Sequence, residues 1–308
     1  MNADDAIIPT LRPRATPGTS IGMRSEYISA NGIRFHCLTD GAGPLVILLH
    51  GFPQSSYEYR HLVPALARAG YRAVAPDMRG YGDTSRPARI EDYALQTLGD
   101  DVAALVDAFG ESKAHVLGHE WGAIVAAEAA LSHPDKVDRL ILVNGAPAIT
   151  LGRAIHHSRR QRLRSSYVLF YRIPRLPEWS LTALHGRVLS LLLSDRAFSA
   201  ADLAVYRDAI CQPRAAWAGL AYYRSIAHTI KDDSNRLRGK RITSPALILW
   251  GERDRTLRRD LTRWLDRQFT NPPRKVFFPD VGHWVIEARP DEVARHVIGF
   301  LAEDQVPG

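Results

Sequence analysis

The sequence predicts an α/β protein: a mostly parallel sheet flanked by helices, with a helical segment inserted into it. Three observations carry this expectation. Short apolar runs alternate with amphipathic ones over most of the chain. One residue, Glu120, stands between Gly118-His119 and Trp121-Gly122, at the junction of an apolar run and an Ala-rich run. One long stretch, about 147–235, carries aromatics and arginines but no convincing strand. Strands that alternate with helices require a parallel sheet with both faces covered.

Taken in order, residues 27–38 read as strand material and 44–50 as a β-rich run that ends at Gly51. Residues 71–76 form another short apolar strand, followed by the turn-rich Asp77-Met78-Arg79-Gly80-Tyr81-Gly82. The spacing of Leu98, Val102, Leu105 and Val106 predicts a helix over 97–109. Strand, sharp turn and helix follow at 114–131, with glycines on both sides of Glu120 to let the chain turn tightly. A strand at 140–143 precedes the helical stretch. Beyond it come a strand at 246–250, a helix at 257–269, a strand at 275–278 and a helix at 291–301. The expected division is a disordered tail at 1–23, a core of 24–146 and 236–308, and a helical cap of 147–235. A cap inserted there would roof the C-terminal ends of the strands, where open α/β sheets hold their sites.

Composition excludes several classes. At 308 residues, 45% hydrophobic and 24% charged, the chain has ordinary globular composition and room for one large core. No apolar stretch is long enough to span a bilayer, and residues 1–23 show no apolar core of a secretory signal. Two cysteines, Cys37 and Cys211, make no disulfide framework and suit a reducing compartment. These readings give a cytoplasmic location with no membrane partner as the expectation. The net charge of +7 is uneven: Arg153, Arg159, Arg160, Arg162, Arg164, Arg172 and Arg175 lie between Leu151 and Leu176 without one acid. The run reads as a solvated basic face, or as a partner for an acidic group or carrier protein. No nucleic-acid fold signature accompanies it.

Four motifs occur in fixed order: His50-Gly51-Phe52-Pro53, Asp77 to Gly82, Gly118-His119-Glu120-Trp121-Gly122, and Gly282-His283-Trp284. On these, from about Tyr27 to Leu301, the chain resembles the α/β-hydrolase superfamily, in the branch of soluble epoxide hydrolases and haloalkane or haloacid dehalogenases. The resemblance implies an α/β-hydrolase fold and cofactor-free hydrolysis of a small-molecule substrate. It implies that Glu120 is the nucleophile, where the branch usually carries aspartate, and that His283 activates water. Asp254, just after the strand at 246–250, is the best acid to orient His283, with Glu252 as the competitor. Phe52 and Trp121 would supply backbone N–H donors for the oxyanion, with His50 and Pro53 in the same binding loop and a cis peptide before Pro53.

The cap separates the two activities. Ser166-Tyr167-Val168-Leu169-Phe170-Tyr171 and Leu220-Ala221-Tyr222-Tyr223-Arg224 resemble the segments in which epoxide hydrolases place two epoxide-activating tyrosines. The matching positions are Tyr167 and Tyr223, with Tyr171 and Tyr222 as the neighbours most easily confused with them. Dehalogenase features are weaker. Trp121 and Ile124 occupy the stretch where haloacid enzymes clamp a carboxylate with arginines, and Phe52 stands where haloalkane enzymes often carry Asn. Gln54 suits either branch. Glutamate also moves the carboxylate outward by about 1.5 Å, roughly one C–C bond. Three outcomes stand open at this point: a glutamyl ester route, a general-base role in a hydrolytic, lyase, isomerase or cyclisation reaction, or an inactive binding protein.

Overall fold

The computed structural model describes residues 22–193 and 197–304. Its centre is an eight-stranded sheet: β1 Arg24–Ala30, β2 Ile33–Asp40, β3 Leu45–Leu49, β4 Arg72–Pro76, β5 Ala114–His119, β6 Val137–Val143, β7 Ala246–Gly251 and β8 Arg274–Phe278, in the order β1-β2-β4-β3-β5-β6-β7-β8. From β4 to β8 every pairing is parallel; β2 runs antiparallel to both β1 and β4. The inner strands β3, β5 and β7 are buried along their whole length, which is why β3 and β7 read as unbroken apolar runs rather than alternating ones.

The single strand expected over 27–38 is a hairpin instead. Asn31 and Gly32 both adopt positive φ, 45° and 72°, and fold β1 back on β2. Asn-Gly with both φ values positive is the two-residue turn that matches strand twist, and it breaks the alternation the sequence seemed to carry through.

Helices α1 Leu62–Arg68, α2 Leu95–Ala108, α3 Trp121–Ser132 and, later, α10 Thr262–Leu265, α11 Val285–Ala288 and α12 Pro290–Leu301 cover the sheet. Short α1 was not expected from the sequence. The helix expected over 257–269 is a single α turn, α10, between two 3-10 turns. Its start is held elsewhere: Leu257 N donates to Asp254 and Arg258 N to Gln161, so the helical ladder begins only beyond them.

Between β6 and β7 most of the described chain is helical: α4 Ala148–His157, α5 Arg159–Arg164, α6 Tyr167–Tyr171, α7 Leu176–Leu192 with a kink over Ala183, Leu184, His185 and Gly186, α8 Ala200–Ile210 and α9 Ala215–Arg236; beyond α9, Ile242 makes a lone parallel bridge to Phe269. Buried polar contacts tie this segment to the sheet domain. Arg60 pairs with Asp202 of α8 at 3.0 Å and with Glu287 of α11 at 2.8 Å, while Tyr206 donates to Glu287 at 2.7 Å. Arg236 at the end of α9 pairs with Glu128 of α3 at 2.6 Å. The tail expected at 1–23 lies outside the described residues except for Gly22 and Met23.

The turn between β5 and α3 depends on backbone contact that only glycine allows. A Cβ on Gly122 would collide with the Leu49 carbonyl oxygen, and one on Gly118 with the Gly122 carbonyl. By contrast, Gly299 in α12 has open space where its Cβ would stand. Gly122→Ala is expected to destabilise the protein by about 3 kcal/mol through overpacking against immovable backbone. Gly299→Ala is expected to stabilise it by about 0.5–1 kcal/mol, the helix-propensity gain. Denaturant midpoints of the two variants beside the parent check both signs.

Candidate active site

Every motif residue enters the site from the C-terminal end of a strand: Phe52 after β3, Glu120 after β5, Asp254 after β7 and His283 after β8. Glu120 is held at φ 50° and ψ −111°, a backbone region that L residues adopt only under tertiary constraint, at a cost of order 1–3 kcal/mol. The turn aims its side chain back over α3. Its Oε2 accepts from Phe52 N at 2.9 Å and from Trp121 N at 2.6 Å; the Tyr223 hydroxyl donates to Oε1 across 3.4 Å. Burial pushes the Glu120 pKa up from its usual 4.5, against the charge of His283 and the two backbone donors, which favour the carboxylate.

His283 Nδ1 donates to Asp254 Oδ2 at 2.7 Å, which leaves Nε2 as the free basic nitrogen. Asp254 is almost fully bonded. Its Oδ1 accepts from Thr256 N, Thr256 Oγ1 and Leu257 N, and its Oδ2 also accepts from Asn144 Nδ2 at 2.7 Å. Burial alone would raise this carboxyl; His283 and the surrounding donors outweigh it and hold Asp254 at about 2. Glu252 faces outward and pairs with Arg259 at 2.7 Å, away from His283.

Glu120, His283, Tyr167, Tyr223 and Trp121 line one cavity of about 220 Å³, walled by apolar side chains such as Leu151, Ile155, Val168 and Leu257. Burial and the Glu120 charge push the hydroxyls of Tyr167 and Tyr223 well above the ordinary tyrosine value, so both stay protonated donors. The two rings lie 6.3 Å apart. The neighbouring tyrosines do other work. Tyr222, one residue along α9, points to the opposite side and donates to the Arg79 carbonyl at 2.8 Å. Tyr171 is buried among Phe52, Tyr167 and Tyr223 and is absent from the cavity wall.

Two expected binding residues are corrected. His50 is fully buried, and its Nδ1 donates to Gly51 O at 2.9 Å while its Nε2 accepts from Met78 N at 2.9 Å. Both nitrogens are spent on holding the loop, so His50 shapes the donor at Phe52 and touches no substrate space. Pro53 follows a cis peptide, as the motif implied, but it too lies off the cavity wall. Gln54 reaches Tyr206 and Glu287 in the buried cluster instead of the cavity.

Two groups that sequence reasoning missed sit directly behind Glu120. His119 Nδ1 lies 2.7 Å from Glu58 Oε1, both side chains fully buried, and His119 Nε2 donates to the His283 carbonyl at 3.1 Å. Glu58 Oε2 accepts from Gly51 N at 3.3 Å. The pair thereby joins the loop of Phe52, the turn of Glu120 and the loop of His283. Burial disfavours a charged His119, and the Glu58 carboxylate beside it outweighs that effect and pushes its pKa up. Asn144 is the third omission: it grips Asp254 and accepts from Gly251 N at 2.9 Å. Its place before a glycine at a strand end was the available signal.

A group whose folded pKa is raised stabilises the fold fully below its unfolded pKa, near 6.5 for histidine, and that contribution is lost as pH climbs through the folded value. Glu58→Gln is therefore expected to cost about 3 kcal/mol near pH 6, the penalty for breaking a buried pair from one side. The deficit should shrink as pH rises further. Urea titrations of parent and variant at successive pH values check the direction; a gap that widens with pH contradicts a raised His119 pKa.

With this geometry in hand, similarity to known proteins is informative. Residues 44–187 match the family model of the alpha/beta hydrolase fold. The AB hydrolase superfamily protein YfhM of Bacillus subtilis (strain 168) is 33% identical over 286 residues, covering 91% of this chain and 98% of the relative. Epoxide hydrolase A of Mycobacterium tuberculosis is 30% identical, covering 90% of this chain and 96% of its own length. The crystal structure of Epoxide Hydrolase A from Mycobacterium thermoresistibile superposes with a TM-score of 0.81 at 28% identity, covering 91% of this chain and 98% of that one. Strand order, strand-end residues and similarity along nearly the whole length agree: the chain is a hydrolase of the α/β-hydrolase superfamily and belongs to its epoxide hydrolase branch.

Proposed function

We propose that this hydrolase opens an epoxide to a vicinal diol through an ester on Glu120, with residues 147–235 acting as a cap over the core of 24–146 and 236–308. One observation carries the reading. The longer side chain folds back so that Oε2 occupies the Phe52 and Trp121 donors, while Oε1 faces Tyr223 in the cavity. The extra methylene is absorbed by the fold of the side chain rather than by displacing the carboxylate from its donors.

In this reading Oε1 attacks an epoxide carbon in line with the breaking C–O bond. Tyr167 and Tyr223 donate to the epoxide oxygen, and one of them gives it a proton as the ring opens. His283, oriented by Asp254, then takes a proton from water, and the hydroxide adds to the glutamyl carboxyl carbon. The oxygen at the Oε2 position becomes the oxyanion, already held by two N–H groups. Collapse breaks the alkyl ester, releases the diol and restores the carboxylate; the His283 proton returns to the tyrosinate. No cofactor takes part.

Glu120→Gln is expected to lower epoxide turnover by at least about 10³-fold, since the amide is no nucleophile. His283→Gln is expected to leave alkylation intact and stall hydrolysis, so intact-mass spectrometry should find the Glu120 peptide heavier by one substrate. Turnover retained in Glu120→Gln contradicts the ester; turnover lost in it with no adduct in His283→Gln favours the general-base role.

A second reading, dehalogenation, draws on Trp121. Its Nε1 is buried, finds no acceptor among the described residues, and belongs to a side chain that lines the cavity. An indole N–H in that place could hold a departing halide. The expected result with haloalkanes and haloacetate is no free halide above the uncatalysed rate, measured with an ion-selective electrode; steady halide release supports the second reading instead.

A further inference from the structure

Among the described residues, every large apolar side chain that is exposed falls between 163 and 192. Leu163, Leu169, Ile173, Leu176 and Trp179 crowd the front of that span, and Leu163 and Trp179 are 75% and 67% exposed. Large exposed apolar side chains concentrated in one stretch of chain mark a segment that meets something else, whereas ones scattered along the sequence need no explanation. The same span overlaps the acid-free basic run, in which Arg159, Arg160, Arg172 and Arg175 are all exposed. The next acid along the chain, Glu178, is neutralised by Arg224 at 2.6 Å. Arg224 also donates to the carbonyls of Tyr171 and Ile173, at 3.2 and 2.9 Å, and so pins this face onto α9. The surface is built and held.

It also borders the active-site cavity. Helix α6 and the residue after it turn Tyr167, Val168 and Arg172 into the cavity wall, while Leu169 and Ile173 face solvent. One short segment separates the apolar outside from the apolar inside.

We propose that this face docks the protein peripherally on an anionic lipid bilayer, so that a lipophilic substrate passes from the lipid past α6 into the cavity. The passage of substrate rests on the function proposed above; the docking does not. Leucine, isoleucine and tryptophan enter the boundary of headgroups and acyl chains, and arginines meet lipid phosphates. No helix among the described residues is long and apolar enough to cross a membrane. A second copy is the poorer occupant: a two-fold interface sets a face against itself, and here it would oppose arginine to arginine with no acid between.

The test is sedimentation of the full chain with vesicles of phosphatidylcholine alone and of phosphatidylcholine with phosphatidylglycerol at about 3:1. Expected are binding to the anionic vesicles only, loss of that binding at about 0.5 M salt, and about tenfold weakening by Arg159→Gln with Arg160→Gln. Leu169→Ser with Trp179→Ser should weaken binding similarly while the melting temperature and turnover of a water-soluble epoxide stay as in the parent. Failure to bind either vesicle, equal binding to both, or indifference to these substitutions overturns the proposal. So does a dimer in solution that Leu169→Ser with Trp179→Ser disperses. Vesicle binding by a protein that turns over no epoxide leaves docking standing and removes the substrate reading alone.

Discussion

The backbone at Glu120 is the constraint on which the rest of the site depends. Two glycines let β5 and α3 approach so closely that the residue between them is forced into positive φ, with Leu49, Gly118 and Gly122 in backbone contact. That strain costs of order 1–3 kcal/mol and is repaid by packing elsewhere. In return the side chain leaves the sheet at one angle only, next to the first N–H of α3 and across from the N–H of Phe52. A donor pair fixed by main chain needs no rearrangement when charge develops at it, which is what the proposed ester route requires of these two N–H groups.

Burying a carboxylate there requires compensation, and it arrives in layers. His283 comes first, the backbone donors of Phe52 and Trp121 next, and behind them lies His119 beside Glu58. Asp254 follows the same logic with another geometry: five donors surround it, so it stays ionised at the bottom of the site and can orient His283. The pair of Glu58 and His119 also works mechanically. It ties three loops that arrive from three different strands, so a displacement of one is felt by the others.

The helical segment between β6 and β7 is two-sided. Its inner side brings Tyr167 and Tyr223 over Glu120 and closes an apolar cavity; its outer side exposes leucines and arginines. The buried ties through Arg60, Asp202 and Glu287 and through Arg236 and Glu128 anchor it at both ends. Between those anchors α6 is short and is held by Arg224 and by the packing of Tyr171 against Phe52 and Tyr223.

The sequence by itself determined the sheet and its strand-end residues, because buried parallel strands demand continuous apolar runs and the turn at Glu120 demands glycines at two positions. Glu120, Asp254, His283 and the pair Tyr167 and Tyr223 were legible because each belongs to a local motif. The hairpin at Asn31-Gly32 was legible too and went unread, since the alternation on either side masked the turn. Only the tertiary structure decided between neighbours. Asp254 and Glu252 are two residues apart, and Tyr222 and Tyr223 one; which of each faces inward follows from how β7 and α9 pack, which no local pattern records. The structure alone showed that both His50 nitrogens bond within the loops around the site and brought Glu58, His119 and Asn144 beside it. Their roles come from contacts between residues far apart in the chain, and a long-range contact leaves no periodicity to read.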